Sequence, residues 1–315
     1  MEIILHAGAH RTASTTFQAY LAGNAAQLAG HGIGVWGPTR TRRGLLAGVN
    51  GGPGAARARG RIALNLEAAR RDGVRWLIVS DENMLGAPRA NLREATLYRD
   101  AGARIARHVA AFGCRPRRIA LSIRAQAPYW ESCLAFAVMR GHRLPDAALL
   151  DRLVTQPRGW RAVITDIAAA AGGAEVLVLP HETYAGLPET RLWHMAGHAV
   201  LPPLTHAREW LHRRPDLPAL RGALRDRGAD PARLPGGQGS WRLFDDSQRA
   251  ALEAAYRQDL DWLRAGADGL ARLVQEDWAG TFLVRQKEAR QAGTTSAARR
   301  ETRGQAHGTD EGRVA

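Results

Sequence analysis

Short, nearly unbroken apolar runs recur along the chain, each beside a segment with helical spacing. The first, Ile3-Ile4-Leu5, runs on to Gly8. A polar stretch from His10 to Thr16 follows, and then Phe17, Tyr20, Leu21 and Leu28 fall at the intervals of a helix face. Further runs at Trp76–Val79, Ile119–Ile123 and Val176–Leu179 are preceded by helical stretches around Ile62 to Arg71, Ala103 to Phe112 and Trp160 to Ala171. Strands that are apolar on both faces and alternate with helices predict an α/β fold, a parallel central sheet flanked by helices. An amphipathic helix is expected over Ser247–Arg264, with Leu252, Tyr256, Leu260 and Leu263 on one side and Asp245, Asp246 or Ser247 as its cap. Gly37 to Gly60, rich in Gly, Arg and Pro, reads as a long loop of the kind that serves as a lid, and Pro202 to Pro218 reads as irregular. From Gln286 onward the chain is polar, so one domain is expected over 1–285 and a disordered tail over 286–315.

Composition narrows the class. With 45% hydrophobic and 23% charged residues in 315, wholesale disorder is excluded. No apolar run has transmembrane length, and Met1-Glu2-Ile3-Ile4-Leu5-His6 lacks the pattern of a secretory signal, so a cytoplasmic protein is expected. Two cysteines, Cys114 and Cys133, cannot build a disulfide framework or a four-thiolate zinc site. His194 and His198 have helical spacing but Met195 stands where a zinc-helix motif has Glu, so no metal site is expected. The net charge of +14 comes almost wholly from arginine, since Lys287 is the single lysine. A positive field suits an anionic ligand, but the basic residues are dispersed and no nucleic-acid-binding motif occurs, so no specific nucleic-acid partner is expected.

The opening strand–loop–helix unit is the strongest chemical signal. Unpaired amides and the dipole at a helix N-terminus attract phosphate or sulfate. The loop adds Arg11 and the hydroxyls of Thr12, Ser14, Thr15 and Thr16, while Ala13 is small enough for the backbone to approach an anion. The nucleotide-kinase loop, G-x-x-x-x-G-K-[ST], is not matched, because no Gly-Lys pair follows Gly8. Helix capping by Ser14, Thr15 and Thr16 is the plainer alternative.

Gly8-Ala9-His10-Arg11-Thr12-Ala13-Ser14-Thr15-Thr16-Phe17-Gln18 resembles the 5′-phosphosulfate loop of the sulfotransferases, G-x-[PH]-K-T-G-T-T-x-L, with Arg11 for Lys, Ala13 for Gly, Ser14 for Thr and Phe17 for Leu. The resemblance implies a P-loop NTPase-like architecture and 3′-phosphoadenosine 5′-phosphosulfate as donor substrate, with no metal. In that family an Arg ending a strand and a Ser eight residues later bind the 3′-phosphate. Arg124 and Ser132 have that order and spacing. Gly236-Gly237-Gln238-Gly239-Ser240-Trp241-Arg242 is similar to the family's late glycine loop, which implies donor contacts for Gly236, Gly239 and Trp241, although the leading Arg-Lys pair is missing. Val178-Leu179-Pro180-His181-Glu182 resembles a strand found late in that fold.

Sulfuryl transfer is positioning plus electrostatics. Arg11 is the candidate for the developing charge. For the base, Glu82 in Ser80-Asp81-Glu82-Asn83 follows a strand and is the first candidate, with His10 its rival. The acceptor is expected to be a small molecule or a carbohydrate, and oligomeric state stays open. Two alternatives remain: a nucleotide-dependent phosphotransferase, for which Asp81 is the nearby magnesium candidate, and a nucleotide-binding protein without catalysis, suggested by Arg11 in place of lysine.

Overall fold

The computed structural model describes residues 1–51, 54–197, 200–211 and 213–275. The expected tail, 286–315, the end of the expected domain, and His198 lie outside the described residues. Six parallel strands form one sheet: β1 (Glu2–His6), β2 (Ile33–Trp36), β3 (Trp76–Ser80), β4 (Arg118–Ile123), β5 (Glu175–Pro180) and β6 (Arg272–Leu273), in the order β2-β3-β1-β4-β5-β6. Helices of seven residues or more, in chain order, are α1 (Ser14–Gly23), α2 (Ala55–Arg71), α3 (Pro88–Glu94), α4 (Ala101–Phe112), α5 (Gln126–Met139), α6 (Ala147–Thr155), α7 (Trp160–Ala170), α8 (Pro188–Met195), α9 (Leu217–Arg225) and α10 (Asp246–Arg264). No helix among the described residues is long and apolar enough to cross a membrane.

The period-two alternation of each strand feeds two cores. Ile3 and Leu5 join Leu77, Val79, Ile119 and Leu121 on the face covered by α2, α4 and α7. Ile4 joins Ile78, Ala120 and Leu177 on the face covered by α1 and α8, through Phe17, Leu21, Leu192 and Met195. The expected α/β class is therefore observed, and the four expected strands are β1, β3, β4 and β5. Two strands were not expected. β2 is four residues interrupted by Gly34, and β6 is a two-residue edge.

The long loop expected over Gly37–Gly60 is a correction. Pro38–Arg40 and Thr41–Leu45 are helical turns, and α2 begins at Ala55. Arginine and alanine are good helix formers, and Ala58, Ile62, Leu66 and Ala69 bury one face of α2, so packing overrides the loop-like composition. The irregular stretch is present over 202–211 and 213–215, and α9 then starts at Leu217 behind an Asp216 cap. At α10 the cap is Asp245, in a reciprocal box with Gln248.

The strand order places β1 between β3 and β4, so connections leave toward opposite edges at β1, and ligands of open α/β sheets bind at such a point. A buried relay braces it. Gly159, at the start of α7, has no side chain to cap the helix, and Asp259 of α10 supplies the cap by accepting from the amides of Trp160 at 2.8 Å and Arg161 at 3.0 Å. A β-carbon at Gly159 would lie 2.8 Å from that carboxylate, so the approach requires glycine. Trp160 in turn donates its indole N–H to the carbonyl of Arg124 at 2.7 Å. Asp259→Ala should lower the free energy of unfolding by about 1–2 kcal/mol, the usual loss of a buried cap; urea denaturation with an unchanged midpoint would contradict this role.

Candidate functional site

The loop Ala7–Ala13 joins β1 to α1. Gly8 has φ +45°, and a β-carbon there would lie 2.8 Å from Ser14 Oγ, so the turn needs glycine. Arg11 and Ala13 are also left-handed, each with φ +61°, a conformation that costs a residue with a β-carbon about 1 kcal/mol. Thr12 Oγ1 and Ser14 Oγ both donate to the carbonyl of Ala9, at 2.6 and 3.1 Å, and curl the loop on itself. No side chain caps α1. Its first-turn amides therefore lack an intrahelical or capping acceptor at the mouth of a cleft of about 2350 Å³ that Ala13, Ser14 and Thr15 line.

Two of the expected hydroxyls point elsewhere. Thr12 is buried within the loop, and Thr16 Oγ1 donates to the carbonyl of Leu211 at 3.3 Å and accepts its amide at 3.1 Å, tying down the irregular 202–211 segment. Gly236, Gly239 and Trp241 are a further correction. They do not line the cleft. The glycine turn lies at the surface, where Arg221 binds the carbonyls of Pro235 and Gly237, and Trp241 is buried with its carbonyl accepting from Arg214. The leading basic pair of the family's late loop is replaced by Leu234-Pro235, so this segment has no cation of its own at that place to reach a ligand.

Arg124 and Ser132 both line the cleft and are linked through Arg11. Arg124 follows β4 and donates Nη1 to the carbonyl of Arg11 at 2.7 Å. Ser132, wholly buried on α5, accepts from Arg11 Nε at 2.9 Å, and the Arg11 guanidinium lies over the Phe136 ring. Arg11 thus leans toward the expected 3′-phosphate residues. Burial, foremost, lowers the pKa of both Arg11 and Arg124; on Arg124 the Glu182 carboxylate opposes the shift, and the Arg11 and Arg214 charges add to it.

The residue that sequence reasoning missed is Arg191 of α8. It is 1% exposed and forms no ion pair among the described residues. It donates to the carbonyl of Ala13 at 3.2 Å, to Ser122 Oγ at 2.8 Å and to His6 Nε2 at 3.0 Å, with the Phe17 ring over it. A guanidinium only donates, so His6 Nε2 is the acceptor and His6 Nδ1–H donates to Ser80 Oγ at 2.7 Å. Burial lowers Arg191 to about 9, so it is charged at neutral pH. His181 sits beside Arg124 and Arg191 and is held neutral, pushed down to about 3 by burial and by those two cations. Arg124 Nε, Arg191 Nε and His181 Nδ1 are buried and lack a partner. Arg124 and Arg191 thus bring unpartnered guanidinium N–H groups to one loop with no ion pair among the described residues, an arrangement that an anion would relieve, whereas neutral His181 has a single N–H. Polar residues at strand ends (His6, Ser80 and Ser122) were the signal available in the sequence.

The two candidate bases are engaged. Glu82 lines the cleft with Oε1 accepting from Arg42 Nη2 and Oε2 from Gln18 Nε2, each at 2.8 Å. Burial raises its pKa, but the Gln18 hydrogen bond and the Arg42 charge outweigh it, so the carboxyl sits below its ordinary value. His10 is lowered, mainly by burial, and is neutral. Tyr98 OH accepts from Tyr129 OH and from the His10 amide, so it donates to His10 Nδ1 at 3.0 Å. That leaves the proton on Nε2, which donates to Asn83 Oδ1 at 3.1 Å. Neither ring nitrogen has a lone pair to offer the cleft. Arg42, also missed, bridges Asp81 and Glu82 from the turn after β2.

Comparison with family models, with curated proteins and with solved structures returned no match, so the geometry of the loop carries the functional reading alone.

The isolated charge makes a specific expectation. Arg191→Met leaves its acceptors on Ala13, Ser122 and His6 unpaired, so the free protein should lose about 1–3 kcal/mol of stability, and the rise in melting temperature on adding sulfate or phosphate should fall by at least half. Thermal scans with and without anion check this; an undiminished anion-induced rise would contradict it.

Proposed function

We propose that the protein is a sulfotransferase of P-loop type, moving the sulfuryl group of 3′-phosphoadenosine 5′-phosphosulfate to a hydroxyl or amine of an acceptor. The observation that carries the reading is a pair of arginines, buried Arg191 and half-buried Arg124, converging on the Ala7–Ala13 loop without an ion pair among the described residues. The uncapped start of α1, the place of the loop beside β4 in the sheet, and the lining of the cleft by Arg124 and Ser132, both bonded to Arg11, support it.

In the transfer, the acceptor's oxygen or nitrogen bonds to sulfur as the bond from sulfur to the bridging phosphate oxygen breaks. The electron pair leaves with adenosine 3′,5′-bisphosphate, and the acceptor's proton passes to a base. In this reading the loop amides with Ser14 and Thr15 hold the 5′ end, and Arg124 with Ser132 holds the 3′-phosphate. Arg11 meets the charge building on the bridging oxygen. Arginine carries two donor edges where lysine is a point charge, so the exchange changes geometry more than charge. Glu82 takes the proton: it is ionised at neutral pH, and its lowered pKa makes it a weak base.

A second reading, nucleotide binding without transfer, is favoured by one observation, the full engagement of His10 and Glu82. A phosphotransferase is favoured by none. Asp81, its magnesium candidate, already accepts from Thr41 Oγ1, Arg42 and the Asn83 amide.

Incubation with labelled donor and a panel of alcohols, amines and sugars, followed by mass spectrometry, tests the proposal. A sulfuryl group is expected on an acceptor, or slowly on water as released sulfate. Glu82→Gln should lower kcat by about a hundredfold or more. Because the neighbours depress the Glu82 pKa, the acidic limb of the wild-type rate profile should lie below the usual carboxylate range. Arg42→Ala should move it upward, and Glu82→Gln should abolish it. No transfer and no donor hydrolysis would leave the binding-only reading.

A further inference from the structure

The cleft is larger than a nucleotide needs, since sites for ligands of that size run about 300–1,000 Å³ and this one holds about 2350 Å³. Its charge is also one-sided. Thirteen of the 47 lining residues are arginine, and two, Glu82 and Asp146, are acidic. In the whole chain 44 basic residues face 30 acidic ones among 315. A general preference for arginine would enrich every surface alike and would not strip acidic residues from one cleft, so the imbalance belongs to the cleft.

Four of these arginines stand on other elements than the donor loop. Arg43 stands on the turn after β2, Arg89 on α3, Arg143 between α5 and α6, and Arg152 on α6. Among the described residues none of these four side chains makes a hydrogen bond, an ion pair or a ring contact. They come from four separate elements and line one cleft, whose two acidic lining residues are Asp146 and a Glu82 already held by Arg42. Glu82, the proton acceptor of the proposed reaction, lies on the wall of the same cleft.

We propose that the outer cleft, lined by Arg43, Arg89, Arg143 and Arg152, is the acceptor site and that the acceptor is an acidic carbohydrate, a chain of sugars bearing several carboxylate or sulfate groups. The inference rests on the sulfotransferase reading for the word acceptor; the anion site itself rests on the arginines. Aromatic side chains argue against nucleic acid. Of the two such rings lining the cleft, Phe136 is covered by Arg11 and Arg140, which leaves the half-exposed Trp210 beside Arg213, so successive unstacked bases would lack a row of platforms. Hydroxyl-rich acidic sugars need guanidinium forks for their anions and no stacking platform.

The test is calorimetry on the full chain in two stages. Adenosine 3′,5′-bisphosphate is titrated first. A hexasaccharide of alternating uronate and sulfated amino sugar is then titrated into the bisphosphate-saturated protein. Parallel runs use the same hexasaccharide with carboxylates reduced and sulfates removed, and a single-stranded DNA oligonucleotide of equal charge. The acidic hexasaccharide should bind the saturated protein, and the neutral one should bind at least tenfold more weakly. The triple variant Arg89→Ala/Arg143→Ala/Arg152→Ala should weaken the acidic sugar by about tenfold and flatten its salt dependence by about two to three charges, with bisphosphate affinity unchanged. Equal binding of neutral and acidic sugars, full displacement by bisphosphate, unchanged affinity in the triple variant, or tighter binding of the DNA would each overturn the proposal. The first titration reads the donor assignment and the second reads this one, so the two fail separately.

Discussion

A positive charge without a counter-charge, buried under a loop, organises this molecule. Arg191 reaches the sheet's carboxyl edge from α8 and can only donate, so everything it touches must turn an acceptor toward it. The Ala13 carbonyl turns inward, and the left-handed Arg11 and Ala13 let the chain make that turn before α1 begins. His6 takes the tautomer that accepts on Nε2, which sends its Nδ1 proton to Ser80. Ser80 also accepts from Gln18 at 3.3 Å, and Gln18 holds Glu82. One guanidinium thereby connects the loop, the ends of β1, β3 and β4, and the carboxylate on the far wall of the cleft. Backbone carbonyls, hydroxyls and an imidazole offset part of the cost of burying it, but they carry no net negative charge.

The same logic explains how two regions of one cleft divide the work. Near the loop, Arg191 is buried and Arg124 half-buried, and desolvation makes an incoming phosphate or sulfate worth more to them than it would be in water. At the rim, the arginines are exposed and screened by salt, so they suit many weak contacts spread along a larger ligand. Between them, Arg42 ties Glu82 and Asp81 together, holding two acids that would otherwise repel an anionic substrate.

Much of this was legible in the sequence because it is local. A strand, a glycine turn and a hydroxyl-bearing helix start are neighbours in the chain, so the loop could be read from Ile3 to Gln18. Arg124 and Ser132 lie on consecutive elements, and their spacing survived folding. Other features were not legible because they depend on contacts far apart in the chain. Arg191 meets His6 across 185 positions, and nothing around it in α8 marks it as a loop anchor. Arg42 lies in a stretch whose Gly and Arg content read as a lid, where burial of Ala58, Ile62 and Leu66 in α2 instead enforces helix. Composition cannot report whether a hydroxyl faces outward either: Thr16 looked like a ligand-binding residue and proved to be a clasp on Leu211. The glycine turn at 236–239 matched a motif in order and missed the cleft in space, because the cations that would carry it there are absent.

The central claim is that this loop and its arginines form an anion site for a nucleotide with phosphates at both the 3′ and 5′ positions. A crystal structure with adenosine 3′,5′-bisphosphate tests it most directly. The account predicts the 5′-phosphate against the amides of Ser14 and Thr15 and the 3′-phosphate between Arg124 and Ser132, with the Arg11 side chain drawn away from Ser132. A nucleotide bound elsewhere in the cleft, with the loop amides and Arg124 untouched, would contradict it.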